Sequence, residues 1–141
     1  MALTPSIPEA LRWLRQAMRD LQAAHNDIQH CCPNWVLFKV HQALEKGLVA
    51  AVLRRGEAFE GHGGLMDMAQ RLEAEEPELR GLALDVQSLC DHGMDSKATQ
   101  YPSCHPFPMI PSDAFPSVDE EAVLKQAQKV LMTLKKHVDG E

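Results

Sequence analysis

Five stretches of the chain repeat apolar residues at steps of three and four, the spacing of one face of an α-helix. The first opens at Ser6-Ile7-Pro8-Glu9, a capping-box pattern in which Ser6 serves an orphan backbone N–H, Glu9 reaches back and Pro8 is tolerated in the first turn. Leu11, Leu14, Met18, Leu21 and Ile28 follow, with His25 in the missing place, and predict a helix to about Gln29. Asn34 is a good N-cap for a second helix, Trp35 to Leu53, whose apolar residues spread around most of its circumference. Such a helix belongs at the centre, packed by several neighbours. Gly47 within it marks a close approach of another helix backbone, and Arg54-Arg55 before Gly56 end it.

Beyond a flexible turn at Gly61-His62-Gly63-Gly64, Leu65, Met68, Ala69 and Leu72 predict a short third helix. Pro77 opens a fourth with Leu79, Leu82, Val86 and Leu89 on its stripe, and Gly93 terminates it. Periodicity then vanishes from Met94 to Pro116, a segment with five of the nine prolines. Its Tyr101, Phe107, Met109, Ile110 and Phe115 argue that it packs onto the bundle. Ser117-Val118-Asp119-Glu120 is a second capping box before a last helix with Leu124, Ala127, Leu131 and Leu134 inward, and Lys135, Lys136 and His137 at its favourable end. No run alternates as a strand does. The expected fold is all-α: one domain over residues 1–141, an antiparallel up-and-down bundle of about five helices with a long Pro-rich loop before the last.

Charge narrows the chemistry. Fourteen Lys and Arg against twenty Asp and Glu give −6, the wrong sign for a surface that attracts DNA or an anionic membrane as a whole. Without an apolar run of spanning length or a secretory pattern, a cytoplasmic location is expected. Cys31, Cys32, Cys90 and Cys104 read as free thiols in a chain large enough to need no staple. No metal site is expected, because His30, His92, His105 and the cysteines lack Cys-x-x-Cys spacing. The glycine cluster at 61–64 lacks the Lys-Ser or Lys-Thr of a phosphate loop, and no acyl-transfer triad is specified.

The residues Leu11-Arg12-Trp13-Leu14-Arg15-Gln16-Ala17, then Asn26-Asp27, then Phe38-Lys39-Val40-His41-Gln42-Ala43-Leu44-Glu45-Lys46-Gly47-Leu48 resemble the first two helices of a HEPN (higher eukaryotes and prokaryotes nucleotide-binding) domain. Gln100-Tyr101-Pro102, Pro106-Phe107-Pro108 and Ile110-Pro111 resemble the segment before that domain's last helix, so the likeness spans about residues 9 to 135. It is similar above all to the HEPN domain that ends a giant co-chaperone. That resemblance implies an antiparallel bundle, homodimerisation, binding of GTP or ATP, no other cofactor, and work beside a DnaJ-type domain with DnaK-type chaperone machinery. The chain itself has no His-Pro-Asp triplet of a J domain.

Many HEPN domains are ribonucleases that use an Arg, four to six residues, then a His. Gln100 and His105 occupy those places here, and glutamine cannot supply a cationic fork to a charged phosphate. The expectation is therefore a non-catalytic module. Nucleotide binding needs a cation for phosphate and a flat surface for the base, which points to Lys46, Lys97, Gln100, Tyr101 and His105, with Lys39, Arg54 and Arg55 in support. Trp13, Trp35, Phe38, Met109 and Phe115 exceed what inner seams require and are the expected dimer interface. The alternatives are a divergent metal-independent ribonuclease using His105, or a scaffold that has lost its ligand site.

Overall fold

The computed structural model describes residues 6–59 and 64–140. Five α-helices run through them: α1 (Ile7–Asn26), α2 (Pro33–Arg54), α3 (Leu65–Glu75), α4 (Leu82–Asp91) and α5 (Glu120–Asp139). The architecture is an all-α bundle. Short 3₁₀ turns at Pro77–Leu79, Pro102–Cys104 and Pro111–Asp113 punctuate the connections. Of the glycine turn before α3, residues 61–63 lie outside the described residues.

Helix α2 is the central rod, with α1, α3 and α5 packed around it. Val36, Leu37, Val40, Leu44, Leu48 and an unbroken run from Val49 to Leu53 are buried. Burying one such aliphatic side chain stabilises the fold by roughly 1.5–3 kcal/mol. Gly47 does mark a close approach, but what enters the space is a pair of side chains from α5, Leu131 and Leu134, rather than a backbone. The α5 stripe of Leu124, Ala127, Leu131 and Leu134 is buried as expected, and so is the α3 stripe of Leu65, Met68, Ala69 and Leu72.

Local chemistry shifts several expected boundaries. Helix α1 stops at Asn26, and Gln29 takes a left-handed φ of 63° in the turn that follows. Its buried stripe is Ala10, Leu14, Ala17 and Ala24, so His25 is exposed and the larger Leu11, Met18, Leu21 and Ile28 form a half-buried flank. Small residues facing α2 let the two helices approach closely. Ser6 Oγ accepts from Glu9 N–H at 3.1 Å, while the Glu9 carboxylate turns to Arg12 and to the Trp13 indole instead of reaching back. Helix α2 is entered through Cys32 with Pro33 in its first turn, where proline's missing N–H costs nothing, so Asn34 is not the cap. Cys31 and Cys32 are joined by a disulfide, which corrects the expectation of four free thiols; Cys90 and Cys104 remain free.

The expected fourth helix is divided. Gly81, at φ 90°, separates the 3₁₀ turn at Pro77 from α4, although Leu79, Leu82, Val86 and Leu89 still share one buried surface. Gly93 ends α4 at φ 105°. Asp119, from the second capping box, is the cap of α5 and accepts from Ala122 N–H at 3.1 Å.

Candidate functional site

The loop between α4 and α5 is held by a ladder of local hydrogen bonds. The Asp95 carboxylate accepts from the N–H groups of Lys97 (2.9 Å) and Ala98 (2.7 Å), and Thr99 Oγ1 donates to Asp95 O at 2.6 Å. Those N–H bonds hold the Asp95 carboxyl below its ordinary range. Gln100 Nε2 donates to Ser96 O, and His105 Nε2 donates to Ala98 O, both at 2.6 Å. Tyr101 N–H donates to Lys97 O at 2.9 Å, so these two residues flank a single turn.

The ladder is tied to the bundle at three points. Asn34 Nδ2, buried in the first turn of α2, donates to Thr99 O at 3.0 Å. The Phe115 ring lies against Gly93 and meets the His105 imidazole edge-on, with centroids 6.1 Å apart. Pro111 is buried at the turn that contacts α2. The anchors are thus Met94, Thr99, Pro111 and Phe115, not most of the aromatic and apolar residues that the sequence points to. Tyr101, Met109 and Ile110 are exposed, and Phe107 is 97% exposed. Apolar side chains facing outward on a braced loop are the reverse of the expected packing: prolines and backbone bonds fix the loop, and its large side chains are left outside.

The structure brings Lys97, Gln100, Tyr101 and His105 together on this loop. Lys46 stands apart, twelve positions beyond Asn34 and so about 18 Å along α2. Its ammonium donates to Asp20 at 2.7 Å and lines a hollow of ≈ 220 Å³ with Arg12, Trp13 and Gln16. The supporting cations are engaged too: Lys39 with Asp27 at 2.6 Å, Arg54 with Val138 O, and Arg55 with Glu57, Glu75 and Glu76. Between the loop and Lys46 lies His41, whose burial lowers its pKa while Glu45 and Asp95 oppose the shift.

Of the five aromatic and Met residues expected at an interface, Trp35 and Met109 are exposed. Trp13 is half-buried against Phe59, Phe38 supports Trp35 edge-on at 5.8 Å, and Phe115 is an internal wedge. Sequence reasoning passes over Phe107 and Ile110 as interface residues, because their apolarity suggests burial.

Glu76, Glu78 and His137 place their donor atoms within 4.8 Å of one another, which composition cannot foresee because α5 supplies the histidine. His137 Nδ1 donates to Glu78 at 2.7 Å, and Glu76 faces Arg55 at 3.3 Å. The cluster reads as a hydrogen bond beside an ion pair, His137 with Glu78 and Arg55 with Glu76. No helix among the described residues is long and apolar enough to cross a membrane.

Comparison with known proteins places this geometry. The chain is 38% identical to human sacsin over 109 residues, which is 77% of this chain and 2% of sacsin. The crystal structure of TT1696 from Thermus thermophilus superposes with a TM-score of 0.69 at 25% identity, covering 91% of this chain and 97% of that one. A model of the HEPN domain matches residues 10–137, nearly the whole bundle and its loop, and the chain belongs to the HEPN family.

Proposed function

We propose that this chain is a non-catalytic HEPN module that pairs with a second copy through its loop face and binds a nucleotide such as GTP or ATP, within a sacsin-like co-chaperone system. One observation carries the reading: Gln100 and His105, at the places where a ribonuclease of this family holds its Arg and His, both spend a ring or amide N–H on their own loop's carbonyls. Neither group is poised to stabilise a charged phosphate, and the loop becomes a rigid platform. Trp35, Tyr101, Phe107, Met109 and Ile110 are exposed on or beside it, the apolar and aromatic composition of an interface core. Lys97 offers a cation and Tyr101 a stacking face on the same turn, the two elements a nucleotide requires.

Sedimentation equilibrium tests pairing: a dimer that Phe107→Asp converts to monomer supports it, and a strict monomer for the parent chain removes it. Titration calorimetry with GTP and ATP tests the site, which Lys97→Glu together with Tyr101→Ala should weaken by about tenfold. Incubation with structured and unstructured RNA separates this reading from the rival enzyme. Cleavage abolished by His105→Ala would replace the non-catalytic module with a divergent ribonuclease.

A further inference from the structure

Away from the loop, α1 and α5 enclose a continuous trough. One hollow of ≈ 650 Å³ has an apolar floor of Met18, Leu21, Leu124, Leu131 and Met132. A second of ≈ 750 Å³ continues it, sharing His25, Leu124 and Gln128. Residues 15–25 face 124–132 in the first, and 25–30 face 119–128 in the second, so the helices run antiparallel. From Asp119 to Met132 the trough extends about 20 Å along α5, between three and four helical turns.

Its charge is polarised. Arg15 and Arg19 rim the first hollow, and among the described residues no carboxylate lines it, in a chain whose formal charge is −6. Arg15 has no hydrogen-bond or ion-pair partner among the described residues, and Arg19 donates only to Gln22 at 3.2 Å. Asp119, the α5 cap, and Glu121 stand at the far end, with Lys125 as the one opposing Lys or Arg among the described residues.

We infer that the α1–α5 trough docks an amphipathic helix of a partner protein, acidic in its first turns and basic in its last. A trough between two antiparallel helices is the shape a third helix fills, its apolar stripe on the floor. The two methionines can adapt their shape to the partner's side chains. Helices favour carboxylates at their N-terminus and cations at their C-terminus. The partner's N-terminus therefore lies over Arg15 and Arg19 and its C-terminus over Asp119 and Glu121, parallel to α1. The buried stripes of the five helices are committed to the bundle, so a helix of this chain would have to leave it to fill the trough.

Fluorescence anisotropy on the full chain tests the assignment with two designed peptides of about 14 residues sharing one leucine face. One carries Glu in its first two turns and Lys in its last two, and the other reverses them. The first should bind at least about tenfold more tightly than the second. Arg15→Glu with Arg19→Glu, two surface changes, should reverse that preference, and Met132→Asp should abolish binding of both peptides to the parent chain. Equal affinities, no binding at millimolar peptide, or indifference to the arginine changes would overturn the proposal. So would a chain dimer that dissociates on Met132→Asp, since the trough would then belong to a second copy.

Discussion

Asn34 Nδ2 and Thr99 O, 65 residues apart in sequence, form a 3.0 Å hydrogen bond inside the protein, where both residues are buried. This bond pins the first third of the α4–α5 loop to the first turn of α2. Removing the donor strands a buried carbonyl, at a cost of about 1–3 kcal/mol. Asn34→Ala should lower stability by that amount in urea. Amide exchange in residues 95–105 should accelerate more than exchange in α2, and uniform acceleration would show that the bond is not what braces the loop.

Gly47 sits opposite Leu131 and Leu134, whose Cδ1 atoms would lie 2.7 and 3.2 Å from an added Cβ. Alanine at this position contributes about 1 kcal/mol of helix propensity. Against that, one extra methyl in a packed core costs about 1–3 kcal/mol. Leu131 and Leu134 are both fully buried, and we expect the packing loss to outweigh the gain in propensity. Gly47→Ala should be destabilised by up to about 2 kcal/mol in equilibrium unfolding, whereas a more stable variant would mean that the seam has slack.

These two positions show what sequence can and cannot disclose. The stripes of α3 and α5, the central burial of α2 and the glycine stops at Gly56 and Gly93 are legible because period and turn chemistry are local. Asn34 misleads because its short-range role, capping, competes with a bond to a residue 65 positions away. His25 falls on the periodic stripe, yet α2 approaches α1 along a line of alanines, and small residues leave a weak signal in any hydrophobic pattern. The loop's exposed Phe107 and Ile110 are equally illegible: prolines fix a backbone without reporting which side chains face water. Lys97, Gln100, Tyr101 and His105 can be grouped because one loop carries them, and Lys46 cannot, since its position depends on helix geometry and on Asp20.

The two free thiols should separate kinetically. Cys104 is exposed at the end of the Pro102–Cys104 turn. Cys90 is half-buried in α4, where burial first and the charges of Asp91 and Asp95 next push its pKa up. Because the thiolate is the nucleophile, burial and the raised pKa both slow Cys90, while Cys104 is open to the reagent. Mass spectrometry after brief iodoacetamide treatment near neutral pH should show Cys104 modified at least about tenfold faster. Equal rates would mean that α4 opens readily on that timescale.

The burial of His41 predicts a mild acid sensitivity. Burial lowers its pKa below the ordinary value of about 6.5, with Glu45 and Asp95 pulling it back up and Lys46 reinforcing the drop. The folded state thus resists a proton that the unfolded chain accepts. Its stabilising contribution is complete above the unfolded value and is lost as pH falls from there through the folded pKa. Asp95 acts in the same direction but lower: its depressed pKa keeps its contribution intact until pH drops below about 3.8 and removes it further down. Unfolding midpoints in urea should therefore begin to decline through His41 as pH falls to about 6.5 and below, ahead of the loss through Asp95. His41→Gln keeps a polar side chain without a titrating ring, and should flatten that decline while leaving the steeper loss at lower pH. An unchanged slope in the variant would move the acid sensitivity to another group.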